Sequence, residues 1–120
     1  MLVLLRTLLF VTLLAAPALS PAQTAAETTA HLREANTRLS QLLANDLSDE
    51  DITHIYRLSN ALETSLLRLA DEPATPEWGR ALQLLIGDVD NLRFFSEHRK
   101  HADIIEHGKR YLRNSAQLFN

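Results

Sequence analysis

At 120 residues the chain is long enough for one domain. It contains no cysteine, which excludes disulfides, a thiolate nucleophile, cysteine-ligated zinc and covalent c-type haem. Aromatics at 6% and only 3 glycines argue against a turn-rich all-β fold, and a net charge of −3 with no basic run argues against a nucleic-acid or anionic-membrane surface.

Met1 to Ala22 reads as a secretory signal peptide. Arg6 supplies the early positive charge, and Leu8 to Ala16 is a short apolar run. Ser20 and Ala22 are the small residues before a cut between Ala22 and Gln23. A cut after Ser20 is disfavoured because Pro21 would follow it. The alternative is a retained membrane anchor, but the apolar run falls short of the roughly 20 residues a span needs. No cysteine near the cut is available for a lipid anchor. The expected location is periplasmic or secreted, without stable membrane insertion after cleavage. Removing 22 of the 120 residues leaves 98, and the loss of Arg6 takes the net charge from −3 to −4.

The remainder, 23–120, reads as four helices. The first spans about Ala25 to Ala44, with Leu32, Ala35, Leu39 and Leu42 at the 3-4-3 spacing of a buried seam. Asn45, Asp46 and Leu47 mark a break. Ser48 caps the second helix, with Asp51 three residues on as an approximate capping box. Ile52, Ile55, Ser59, Leu62, Leu66 and Leu69 form its seam, and the Ser59 hydroxyl can bond back to its own helix. Pro73 ends that run and disfavours helical geometry at Glu72.

The third helix, Thr75 to Phe95, is the best marked. Thr75 is a cap, Pro76 takes the first helical position, and Glu77 complements the positive end of the helix dipole. Trp78, Ala81, Leu82, Leu85, Val89 and Leu92 share one face. Leu84, Phe94 and Phe95 are apolar beyond that seam. They either cover the end of the bundle or form a patch for a partner or a second copy, the latter as a weak homodimer. The chain turns within Glu97 to His101, and a fourth helix runs from about Ala102 to Leu118. Its inner face holds Ile104, Gly108, Tyr111, Leu112, Ser115, Leu118 and Phe119. Gly87 and Gly108 are candidates for close helix contacts, although Gly87 lies nearly opposite its own seam. Four such helices with short links predict an all-α, antiparallel up-down-up-down four-helix bundle.

This layout resembles the soluble b-type cytochromes of the periplasm, cytochrome b562 and its relatives. The likeness is clearest at Leu85-Ile86-Gly87-Asp88-Val89-Asp90 and at Arg113-Asn114. Those proteins hold haem between a Met early in the first helix and a His late in the fourth. Here Leu32 takes the Met position and Gln117 the His position. The resemblance therefore implies the bundle without that haem site, and His31, next to Leu32, is the one nearby side chain that could approach an iron. Ile52 to Glu63 is also similar to the second helix of a family of small exported proteins of unknown function.

Of the five histidines, His54, His98 and His101 are expected at one end of the bundle, near Asp46, Asp49 and Asp51. Imidazoles with carboxylates can bind zinc, copper or nickel. Against this, His54 lies about 90° off its seam on the helical period, and His98 sits in a solvated, basic helix end. Only His101 lines up with an inner face. A di-iron bundle needs Glu followed three residues later by His on two helices, and Glu97 with Lys100 and Glu106 with Lys109 fail it. Ser59 and Ser115 lie on seams with no activating His at a suitable spacing, and no phosphate-binding glycine loop is present. No catalytic, cofactor or metal residue is assigned. The expectation is a non-catalytic binding or interaction module for an unknown protein or small ligand; the alternative is a metal- or haem-carrying bundle.

Overall fold

The computed structural model describes residues 24–71 and 73–119. The signal segment read at 1–22 and the boundary residue Glu72 lie outside the described residues. The rest is four helices: α1 (Ala25–Leu43), α2 (Asp49–Asp71), α3 (Pro76–Glu97) and α4 (His101–Phe119).

Three of the four helices, α1 to α3, start where a side chain satisfies free N–H groups of the first turn. At α1 the Glu27 N–H donates to Thr24 Oγ1 at 3.0 Å and the Thr24 N–H donates to Glu27 Oε1 at 2.9 Å, a full capping box. Ser48 and Asp51 make the same reciprocal pair at α2, both bonds 3.1 Å. At α3 the Trp78 N–H donates to Thr75 Oγ1 at 3.1 Å, with Pro76 at the first helical position. That helix runs two residues beyond the expected Phe95. It ends in a Schellman turn, with the Arg99 N–H bonded to Ser96 O and the Lys100 N–H to Phe95 O. Arg99 holds the left-handed position, at φ 52°, that glycine usually takes. Its guanidinium donates to the Asp49 carbonyl (3.2 Å) and to Thr53 Oγ1 (3.1 Å), tying the α3–α4 turn to the start of α2.

The helices pack in a ring, α1–α2–α3–α4–α1, with no close backbone approach across either diagonal among the described residues. Cross-helix pairs fix the directions. Arg33 reaches the Phe119 carbonyl, Asn36 reaches Ser115, and Leu43 lies at Gly108, so α1 and α4 are antiparallel. Glu63 pairs with Arg93, while Asp49 meets Arg99 beyond the end of α3, which sets α2 against α3. Asp88 with Asn114 and Trp78 with Phe119 do the same for α3 and α4.

The core follows the seams, with informative departures. On α2 all six expected positions are buried, and Ser59 Oγ donates to the Tyr56 carbonyl at 2.7 Å. On α1 the buried set is Thr28, Leu32, Leu39 and Leu43, with Ala35 and Leu42 only half-buried. The reason lies across the interface: α4 presents Gly108 to Leu43, and a Cβ built there would stand 2.6 Å from Leu43 Cδ1. The missing side chain admits Leu43 in place of Leu42. On α3, Ile86 and Ser96 join the buried line while Trp78 and Ala81 stay half-buried. Leu112 and Leu118 are likewise half-buried on α4. Gly87 differs from Gly108: among the described residues nothing lies within 4 Å of where its Cβ would be, so it serves no close contact between these helices. Trp78 packs edge-on against Phe119, centroids 5.4 Å apart, over the same core as Leu32.

Candidate functional site

Arg99 brings the start of α2 to the α3–α4 turn, so the two regions carrying His54, His98 and His101 do share one end of the bundle. They do not assemble a site there. His54 is half-buried on α2, and His98 caps α3 with its ring 4.5 Å from that of Phe94. His101 is exposed, against the expectation of an inward position. It lies one turn before Ile104, the first buried residue of α4, where no packed layer remains to cover it.

The set whose ligating atoms converge is a different one. Asp103, Glu106 and His107 offer atoms all within 4.8 Å of one another on one turn of α4. Asp103 and His107 are half-buried and Glu106 is exposed. His107 Nδ1 lies 2.9 Å from the Asp103 carbonyl, and its ring lies on Phe95 at 4.6 Å between centroids, so two contacts hold the imidazole. Glu106 Oε2 accepts from Arg110 at 3.1 Å. Two carboxylates and an imidazole are a donor set for borderline divalent ions. The signal was present in the sequence as Asp, Glu and His at i, i+3 and i+4, the neighbours on a helix surface. Glu106 has Lys109 three positions on, while its two partners lie three positions before it and one after.

Leu32 is fully buried in the core and Gln117 is exposed on α4, so the positions matching the cytochrome ligands hold a packing side chain and a solvated amide. His31 is exposed at a groove of about 560 Å³ between α1 and α2, lined also by Glu34, Arg38, Gln41 and Leu58. A second groove of about 370 Å³ lies between α1 and α4 and borders a polar network. There the Tyr111 hydroxyl donates to Asn36 Oδ1 and Asn36 Nδ2 donates to Ser115 Oγ, both at 2.8 Å. Burial pushes the Tyr111 hydroxyl up to about 12, against the opposing hydrogen bonds of Ser115 and Asn36. Across α2 and α3, the hydrogen bond to Glu63 holds the Arg93 guanidinium above its ordinary value, and Asp90 reinforces it. The network and the ion pair join helices; neither presents a free reactive group. Ser59 and Ser115 are both buried in hydrogen bonds, as a packing role requires.

The outward face of α3 is the other candidate. Leu84 is 74% exposed and Phe94 53%. Phe95 does not belong with them: it is half-buried, packed on the core and on His107. Leu67 of α2, 49% exposed, is a further apolar side chain in solvent.

A family profile matches residues 14–120, nearly the whole chain. The protein belongs to DUF6746, a family of unknown function. No curated protein and no solved structure matches it. The resemblance to a family of unknown function thus holds at the level of family, while no match links this DUF6746 protein to the b-type cytochromes. Among its described residues, no helix is long and apolar enough to cross a membrane. Its two candidate regions adjoin each other, because Phe94 and Phe95 are edge-to-face neighbours, one turned to solvent and one to His107.

Proposed function

We propose that this DUF6746 protein is a small exported helical-bundle protein that acts by binding a partner rather than by catalysis, through the outward face of α3. The exposure of Leu84 and Phe94 carries the reading. Large apolar side chains left in water on a helix that otherwise buries its stripe suit a partner surface. Export rests on the charge, apolar run and small residues of Met1 to Ala22. The test is a photo-reactive residue in place of Gln83, beside the stripe, in the full chain expressed in cells. Crosslinked adducts that vanish on Leu84→Glu are the expected result; their absence in the unmodified background would reject the surface.

A second reading, a metal-carrying bundle of cytochrome-like layout, is favoured by one observation, the convergence of Asp103, Glu106 and His107. Titration calorimetry with zinc, copper and nickel should then give about one ion per chain, lost on His107→Ala. Elemental analysis and an absorption spectrum of the protein from its native compartment check the same point. Absence of metal there, together with no heat in the titration, discards the carrier.

A further inference from the structure

Leu84, Gly87, Asn91 and Phe94 follow one another at spacings of three, four and three, and all four are exposed. On the helical period they lie opposite the buried line through Leu82, Leu85, Val89 and Leu92. Arg80 and His98, both exposed, extend the stripe by one turn at either end. Gly87 is the telling member. It sits mid-helix, where glycine weakens the helix, and its φ is ordinary. Nothing lies within 4 Å of its absent side chain. Neither a turn nor a contact among the described residues requires glycine there. Between two exposed apolar residues, it suits the close approach of another backbone.

The 3-4-3 spacing reads the same in both directions, which is what an isologous contact needs. We propose that this stripe is a homodimer interface, with α3 of a second copy of the chain lying antiparallel across it. In that register Leu84 meets Phe94 of the second copy and Gly87 meets its Asn91, and the two-fold axis repeats both pairs. Large faces large at the ends, and the small residue sits next to the crossing. The charges select the direction. Glu77 and Arg80 lie at the start of α3; Glu97 and Lys100 lie at its end, all exposed. Antiparallel packing sets Arg80 near Glu97 of the second copy and Glu77 near its Lys100, whereas parallel packing sets each against its own like. The proposal rests on the reading of this face as an interaction surface and names its occupant. One helix against one helix is a small interface, so the dimer is weak, with a dissociation constant in roughly the micromolar range or above.

Sedimentation of the purified protein over about 1 µM to 1 mM should show monomer passing to dimer. Leu84→Glu and Phe94→Glu should each weaken association by at least about 30-fold. Gly87→Ala is the sharper variant. It should raise the melting temperature of the monomer by a few degrees, since alanine favours the helix and open space awaits its methyl. It should also weaken the dimer by about tenfold, since that methyl enters the crossing. A position that matters only within the chain would move the first and not the second. The crosslink from position 83 should carry twice the mass of the chain. A protein that stays monomeric throughout, or an association unchanged by Gly87→Ala, overturns the dimer. Adducts of another mass that Leu84→Glu abolishes discard the second copy while keeping the interaction surface. No adducts at all discard both.

Discussion

Leu85→Ala lowers the unfolding free energy by about 3 kcal/mol, while Leu84→Ala, one residue earlier, changes it by less than about 0.5 kcal/mol. Leu85 is 2% exposed in the α3 line that packs into the ring of helices. Its truncation loses the transfer energy of the side chain and leaves a cavity that the neighbours fill only in part. Leu84 already stands mostly in water, so little burial is lost with it. Urea denaturation at a protein concentration below any self-association checks the pair. Equal midpoints for the two variants would mean that the helix is turned differently from the structure described here. The same two variants separate stability from binding, because only the Leu84 face is available to a partner.

Tyr111→Phe is expected to cost about 1–3 kcal/mol at neutral pH, because Asn36 Oδ1 loses its donor beside the core. It should also flatten the alkaline limb of the stability curve. The Tyr111 hydroxyl is held up to about 12 from an ordinary 10.0, chiefly by burial. The folded state therefore keeps its proton to higher pH than the unfolded state does. The corresponding stability is fully present below pH 10 and is lost as pH rises from there through about 12. Its size is on the order of 3 kcal/mol, at about 1.36 kcal/mol for each unit. Urea unfolding at neutral and rising alkaline pH, compared between wild type and Tyr111→Phe, isolates this contribution from other titrating groups. Parallel curves for the two proteins would show that Tyr111 does not ionise on unfolding.

The helices were legible because most of their boundaries are written locally. Ser48 with Asp51, Thr75 with Pro76, and the apolar spacing of α2 act within a few residues of themselves. Thr24 with Glu27 carries the same capping signal at the start of α1, in four residues of sequence. The fold class followed, since four narrow apolar stripes with short links have one compact way to cover each other. The candidate sites were less legible. His98 and His101 lie three apart in sequence, but a Schellman turn at Arg99 falls between them and separates them onto two helices. Asp103, Glu106 and His107 lie on one helix turn and could have been found from spacing. Their quality as a group depends on Phe95 of another helix, which sequence spacing does not place.

By itself the sequence determined the four helices, the caps of the first three, most of the α2, α3 and α4 core, and the absence of any cysteine chemistry. All of these depend on neighbours within one or two turns. Only the tertiary structure decided that Leu43 rather than Leu42 enters the core, because the space it fills is made by Gly108 of α4. It alone decided that Asn36, Tyr111 and Ser115 form one network across α1 and α4. It alone separated Phe95, covered by His107, from Leu84 and Phe94, which stay more than half exposed. Whether an apolar side chain is core or surface depends on what the next helix presents to it, and helical periodicity fixes direction without fixing the neighbour.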